Sequence, residues 1–262
     1  MLYIIGDTHY NFDSLKPVVS YDINRTVIHV GDFGLYKAKL DIIKELNQYY
    51  ADGESHLYVC RGNHDDPRLF NELQLSNIHF VKDNSIIELD GKRIYFNGGA
   101  ISIDRSMNTE YSGPDENFYY ESGSIDLSNI DVVITHTFKE PFKGNIVNSW
   151  ASNELDIQKN IKDYIKEYGH TKYGYIGAPS TRHFFELTLK NKFKLNLKKE
   201  LDYEQSLIDR LIADVAKANP DKMIDWFYGH YHPFDVIGKR HEIGSCLIDS
   251  YCLPISHVYQ LK

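Results

Sequence analysis

The sequence predicts an α/β protein whose functional site lies at the carboxyl ends of its strands. Short apolar runs of strand character alternate with amphipathic stretches along residues 1–100, and strands return after residue 225. Five apolar runs end alike, each delivering Asp, Asn or His, four of them through a glycine. A chain of 262 residues also has the length for one large α/β domain, or for a domain with an insertion. Side chains just past the carboxyl end of a strand in an α/β sheet point into the ligand crevice. One Gly-Asp after a strand is ordinary turn chemistry. Five endings built from metal-ligand side chains are not.

Leu2–Ile5 is the first strand, followed by Gly6-Asp7-Thr8-His9. Asp13–Val19 reads as a short helix, kept brief by Pro17. Thr26–Val30 precedes Gly31-Asp32-Phe33-Gly34, and Leu40, Ile43, Leu46 and Tyr50 then recur at helical spacing. Leu57–Cys60 runs into Arg61-Gly62-Asn63-His64-Asp65. Pro67–Leu73 has a helix-start signature, with Asp66 as N-cap and Pro67 in the first turn. Strands follow at 78–81, 85–89 and 93–97, the last two joined by an Asp90-Gly91 hairpin turn.

Residues 101–130 are polar and aromatic and read as a long active-site loop with a helical turn near 116–120. Ile130–Thr135 is a buried strand ending in His136. Residues 139–223 break the rhythm, with helical patterns near 154–167 and 200–218 around a Tyr- and Gly-rich loop at 169–180. This stretch is expected to be a helical insertion covering the pocket, the other reading being a peripheral helical layer. Residues 1–138 and 224–262 would form the core. Strands are expected at 226–228, leading into Gly229-His230-Tyr231-His232, and at 234–237, 245–249 and 257–261.

Composition sets limits. No run approaches the roughly 18 apolar residues of a membrane span, and no basic or signal-like region precedes Leu2, so a cytoplasmic location is expected. Cys60, Cys246 and Cys252 are odd in number, lie in apolar surroundings and form no CxxC pair, which predicts buried free thiols. A net charge of −8 argues against a broad nucleic-acid surface. It permits a small phosphorylated substrate held at a local positive centre, which metal ions can supply.

The ordered set Gly-Asp-x-His, Gly-Asp, Gly-Asn-His-Asp, a later His, and Gly-His-x-His spans residues 6 to 232 and resembles the calcineurin-like metallophosphoesterase superfamily. That resemblance implies a four-layer αββα sandwich and hydrolysis of a phosphodiester or phosphomonoester through attack by a hydroxide bridging two divalent ions. Manganese is the first choice, with iron, zinc, nickel or magnesium as alternatives. It implies that Asp7, His9 and His232 bind one ion, that Asn63, His136 and His230 bind the other, and that Asp32 bridges them. His64 would act at the leaving group, and Asp65 would orient it or a neighbouring group. Arg61 and Arg105 are candidate substrate contacts, with a structural ion pair as the other reading of Arg61. The segment from Gly98 to Arg105 resembles one found in bacterial and phage members of the superfamily. Arg182 and His183 are a further candidate phosphate clamp.

The pattern is not matched throughout. Tyr10 stands where many relatives have glycine, and Thr135 replaces the glycine before the later His. Phosphoprotein phosphatases of the superfamily carry Gly-Asp-x-x-Asp-Arg-Gly, whereas this chain has Leu35 and Tyr36 at the second Asp and the Arg. The favoured expectation is therefore a soluble phosphoesterase acting on a nucleotide or other small phosphoester. A Ser/Thr phosphoprotein phosphatase and a non-catalytic metal-bound scaffold are the rivals.

Overall fold

The computed structural model describes residues 2–18, 24–101, 117–139, 197–233 and 235–261. Two mixed sheets face each other. The first has strand order β11-β1-β2-β3-β4, from Leu2–Ile5 (β1), Thr26–His29 (β2), His56–Val59 (β3), Ile78–Phe80 (β4) and Val258–Gln260 (β11). The second runs β5-β6-β7-β8-β10-β9, from Ser85–Leu89 (β5), Lys92–Asn97 (β6), Val132–Thr135 (β7), Met223–Tyr228 (β8), Ile237–Ile243 (β9) and Cys246–Cys252 (β10). β1 to β4 are parallel to one another, as are β6, β7, β8 and β10. The antiparallel partners β11, β5 and β9 lie at the edges.

Alternation along the strands builds four layers. Leu2, Ile4, Ile28 and Val30 of one sheet meet Ile94, Phe96, Val132, Ile134 and Phe227 of the other between the sheets. The intervening residues point outward. Tyr3, Ile5, Val27 and Leu57 pack on Ile43, Leu46 and Tyr50 of helix α1 (Leu40–Asp52) and on Phe70 of α2 (Pro67–Glu72). Tyr95, Val133, Trp226 and Tyr228 pack on Leu207, Ile208, Leu211, Ile212 and Val215 of α3 (Leu197–Ala218). That spacing is one apolar helix stripe. The expected αββα sandwich is the architecture observed. Strands buried on both faces read as continuous apolar runs, which is why they were visible in the sequence.

Local details follow their chemistry. Asp66 caps α2 by accepting from Arg68 N, with Pro67 in the first turn. Asp90 and Gly91 turn the β5–β6 hairpin with φ of 50° and 76°, as a type I′ turn requires. All three cysteines are free and buried. The expected helix at 13–19 is a single 3-10 turn, Phe12–Leu15. Residues 117–120 hold no helical turn; Phe118 and Tyr120 instead fill the core under α3. The strand expected at 234–237 begins at Ile237 and runs through Gly238-Lys239-Arg240-His241-Glu242. An edge strand exposed over most of its length has no apolar signature, and its Lys and Arg discourage edge-to-edge pairing.

α3 is built into the core of the second sheet, so the described end of the 139–223 stretch belongs to the outer helical layer. Residues 140–196, where a cap was expected, lie outside the described residues, as do Asp104, Arg105, Arg182 and His183. No helix among the described residues is long and apolar enough to cross a membrane.

Candidate metal centre

The five motif endings follow β1, β2 and β3 of one sheet and β7 and β8 of the other, all at carboxyl ends. The two sheets thereby place Asp7, His9, Asp32, Asn63, His136, His230 and His232 together. Side-chain ligand atoms of Asp7, His9, Asp32 and His232 all lie within 4.8 Å of one another. His232 Nε2 is 2.9 Å from Asp7 Oδ2 and 2.9 Å from His9 Nε2. Asp32 Oδ2 is 3.6 Å from His9 Nε2, and its Oδ1 is 3.4 Å from His136 Nε2. His136 donates through Nδ1 to Val30 O and lies 2.9 Å through Nε2 from Asn63 Oδ1. The His230 ring stands 5.1 Å from that of His136, and His230 N donates to Asp7 Oδ2.

The backbone is bent hard to achieve this. His9, Asp32, His230 and His232 all have left-handed φ, between 45° and 65°. Non-glycine residues reach that region at a cost, and such strain clusters at functional sites. Residues distant in sequence hold the bends. His9 N donates to Asp32 O, Ser256 N to Asp7 O, and Gly6 N to His257 O.

His29 belongs to none of the motif blocks. It is wholly buried at the end of β2, receives Gly31 N–H at Nδ1 and lies 3.0 Å through Nε2 from Thr8 Oγ1. Thr8 Oγ1 in turn donates to Phe33 O. His29 thus ties the Asp7 and Asp32 loops together. Its signal was a polar residue inside an apolar strand. Trp226 does the same for the His136 loop, donating from Nε1 to Thr135 Oγ1, which donates to Thr137 O.

Burial alone would raise the pKa of Asp32, but His136, His64 and His9 outweigh it and hold the carboxyl well below the usual range. Asp7 is also lowered, because His136 and His232 overcome its burial. Burial lowers His9, and takes His230 down to about 3. His136 is the exception. Burial would lower it too, but Asp32 and Asp7 lift it to about 9. Ionised carboxylates beside neutral imidazoles are the donor set that divalent cations take up. Asp7 Oδ1 fits this reading: it is fully buried, accepts no hydrogen bond among the described residues, and faces His136 Nδ1 at 3.8 Å. A buried carboxylate oxygen without a hydrogen bond is costly unless positive charge faces it.

Two of the sequence candidates are held by definite partners. Asp65, expected to orient His64 or a neighbouring group, turns its carboxylate to the backbone. Its Oδ1 accepts from Gly34 N and Leu35 N, and its Oδ2 from Gly62 N and Phe33 N. Four backbone donors make it a brace between the Asp32 loop and the Asn63 loop. Asp65→Asn is therefore expected to lower unfolding free energy by about 2–3 kcal/mol in urea titration, since an amide can accept at only one oxygen. Unchanged stability with lost turnover would return Asp65 to the chemistry. Arg61, a candidate substrate contact with a structural ion pair as its other reading, is buried and paired through Nε and Nη2 with Asp83 Oδ2, and Nη2 also donates to Asn117 O. Its guanidinium anchors the end of β3 to the β4–β5 loop. His64 is half-buried, its N–H donating to Asp32 Oδ1 and its ring 5.5 Å from that of His9.

A parallel-rich αββα sandwich with a cluster of carboxylates and histidines at its strand ends defines a metallophosphoesterase. The chain belongs to the calcineurin-like phosphoesterase superfamily, the model of whose domain matches residues 1–171. No curated protein matches the sequence. His230 and His232 lie beyond the matched residues, yet the fold returns them to Asp7.

Proposed function

We propose that the centre takes two divalent cations and hydrolyses a small phosphorylated substrate, a nucleotide or similar phosphodiester or phosphomonoester. Asp7, His9 and His232 would hold one ion, Asn63, His136 and His230 the other, and Asp32 both, with manganese the first choice. The cations would supply Lewis-acid polarisation of the phosphoryl group and a nucleophile at neutral pH. The observation carrying this reading is the convergence of Asp7, His9, Asp32 and His232, whose ligand atoms all lie within 4.8 Å of one another. His136, fixed through Nδ1 by the Val30 carbonyl, keeps Nε2 toward the cluster. His64 stands at the rim beside His9, its backbone tied to Asp32, and from there would give a proton or hydrogen bond to the leaving oxygen. Leu35 and Tyr36 in place of the phosphatase-type Asp and Arg speak against a phosphoprotein phosphatase, and Arg61 is held by Asp83.

Metal analysis with hydrolysis of bis-p-nitrophenyl phosphate and p-nitrophenyl phosphate tests this. Activity is expected to vanish with EDTA and return with manganese. His64→Ala should cost about 10²–10⁴-fold in kcat while metal content holds. Full turnover by metal-stripped protein would refute the proposal, and turnover of phosphopeptides alone would favour the phosphatase.

A further inference from the structure

Two residues that depart from the superfamily pattern at separate points of the sequence are in contact in the structure. Tyr10 replaces a common glycine, and Tyr36 occupies the place of the phosphatase-type arginine. Their ring centroids are 5.4 Å apart and the planes are tilted by 49°. Tyr10 N donates to Phe33 O, and the Tyr10 ring lies over Gly34, where an added Cβ would stand 2.8 Å from Cδ1. The pair is thus mounted on the loop that carries Asp32, and Tyr10 directly follows His9. Lys39 Nζ is 5.8 Å from the centroid of the Tyr10 ring.

Folding alone does not explain this arrangement. Tyr10 has φ of 61° and is 49% exposed. Glycine takes that φ freely, whereas a bulky side chain there is strained. A strained, half-exposed aromatic residue next to the cluster of carboxylates and histidines is costly to keep unless something uses its ring.

We propose that Tyr10 and Tyr36 form a stacking platform for the nucleobase of a nucleotide whose phosphoryl group lies on the Asp7–His9–Asp32 cluster. The platform rests on the phosphoesterase reading above and narrows its substrate class. Exchanging arginine for tyrosine gives up a charged grip on phosphate and gains a π face, which every base can stack on. Lys39 adds a positive charge on a flexible stem at the platform's rim.

The test compares AMP with glycerol 3-phosphate as monoesters, and 2′,3′-cyclic AMP with glycerophosphocholine as diesters, using manganese-loaded wild-type and variant chains. Tyr10→Gly should raise KM for the nucleotides about tenfold more than for the aliphatic esters, with kcat little moved. Tyr10→Phe should retain nucleotide affinity, because stacking needs the ring and not the hydroxyl. The thermal midpoint of Tyr10→Gly should not fall, since the substitution removes strain. Saturation-transfer NMR gives a readout independent of turnover. Base protons of AMP should receive saturation from the wild type and lose it with Tyr10→Gly or Tyr36→Ala. Equal losses on nucleotide and aliphatic esters, or base signals untouched by both variants, would overturn the platform and leave the phosphoesterase standing. Base saturation that depends on Tyr10 in a chain with no turnover of any ester would support the platform and sink the hydrolysis.

Discussion

Asp32→Asn is expected to cut turnover by about 10³-fold or more and to drop bound manganese below two ions per chain. The reason lies in how many groups converge on this carboxylate. His64 N–H donates to Oδ1, His136 Nε2 is 3.4 Å from the same oxygen, and His9 Nε2 is 3.6 Å from Oδ2. An amide keeps one acceptor, so the contact to His64 N can survive and the fold with it. It loses the negative charge that balances three neighbouring histidines, and one of the two oxygens a pair of cations would share. Elemental analysis and bis-p-nitrophenyl phosphate hydrolysis on the same sample check both halves. Wild-type metal content with wild-type kcat would remove Asp32 from the centre.

The second large effect is expected at a residue with no side chain. A Cβ at Gly62 would fall onto the amide nitrogen and carboxylate of Asp32, and would reach Asp32 Cα at 2.7 Å. Backbone cannot yield as a flexible side chain does, so Gly62→Ala should destabilise the protein by about 3 kcal/mol and scatter the ligands of the Asp32 loop. Gly91→Ala is the contrast. Its φ of 76° makes alanine strained, but nothing lies within 4 Å of the added atom. That variant should cost only about 1 kcal/mol and retain full metal content. Urea denaturation of the two variants separates crowding from backbone strain; equal losses would mean that the Asp32 loop moves aside for the added methyl at Gly62.

The same contrast shows what could be seen in the sequence. Strand ends were legible because buried parallel strands are locally apolar and the glycines interrupt them. Side-chain types after each strand pointed to metal chemistry, and the order of the blocks pointed to the sandwich. Close approach was not legible. Gly62 and Gly229 read as turns, but in space they make room for Asp32 and for the Asp7 carboxylate. Asp65 looked like chemistry because its four partners are amides, three of them about 30 residues upstream. Arg61 could not be assigned from sequence, since only the fold brings Asp83 to its guanidinium. β9 was misplaced because an edge strand wetted on both faces carries no period to read.

β11 pairs with β1, and Ser256 N–H and His257 O hold the backbone on either side of the Gly6-Asp7 peptide. Contacts this distant along a chain form late, after the entropy of closing a long loop has been met. Translation therefore delivers Asp7 long before Ser256 and His257. A nascent chain still lacking residues 230–260 has neither His230 and His232 nor the strand that holds the Asp7 loop, so the cluster cannot assemble until those residues have emerged from the ribosome.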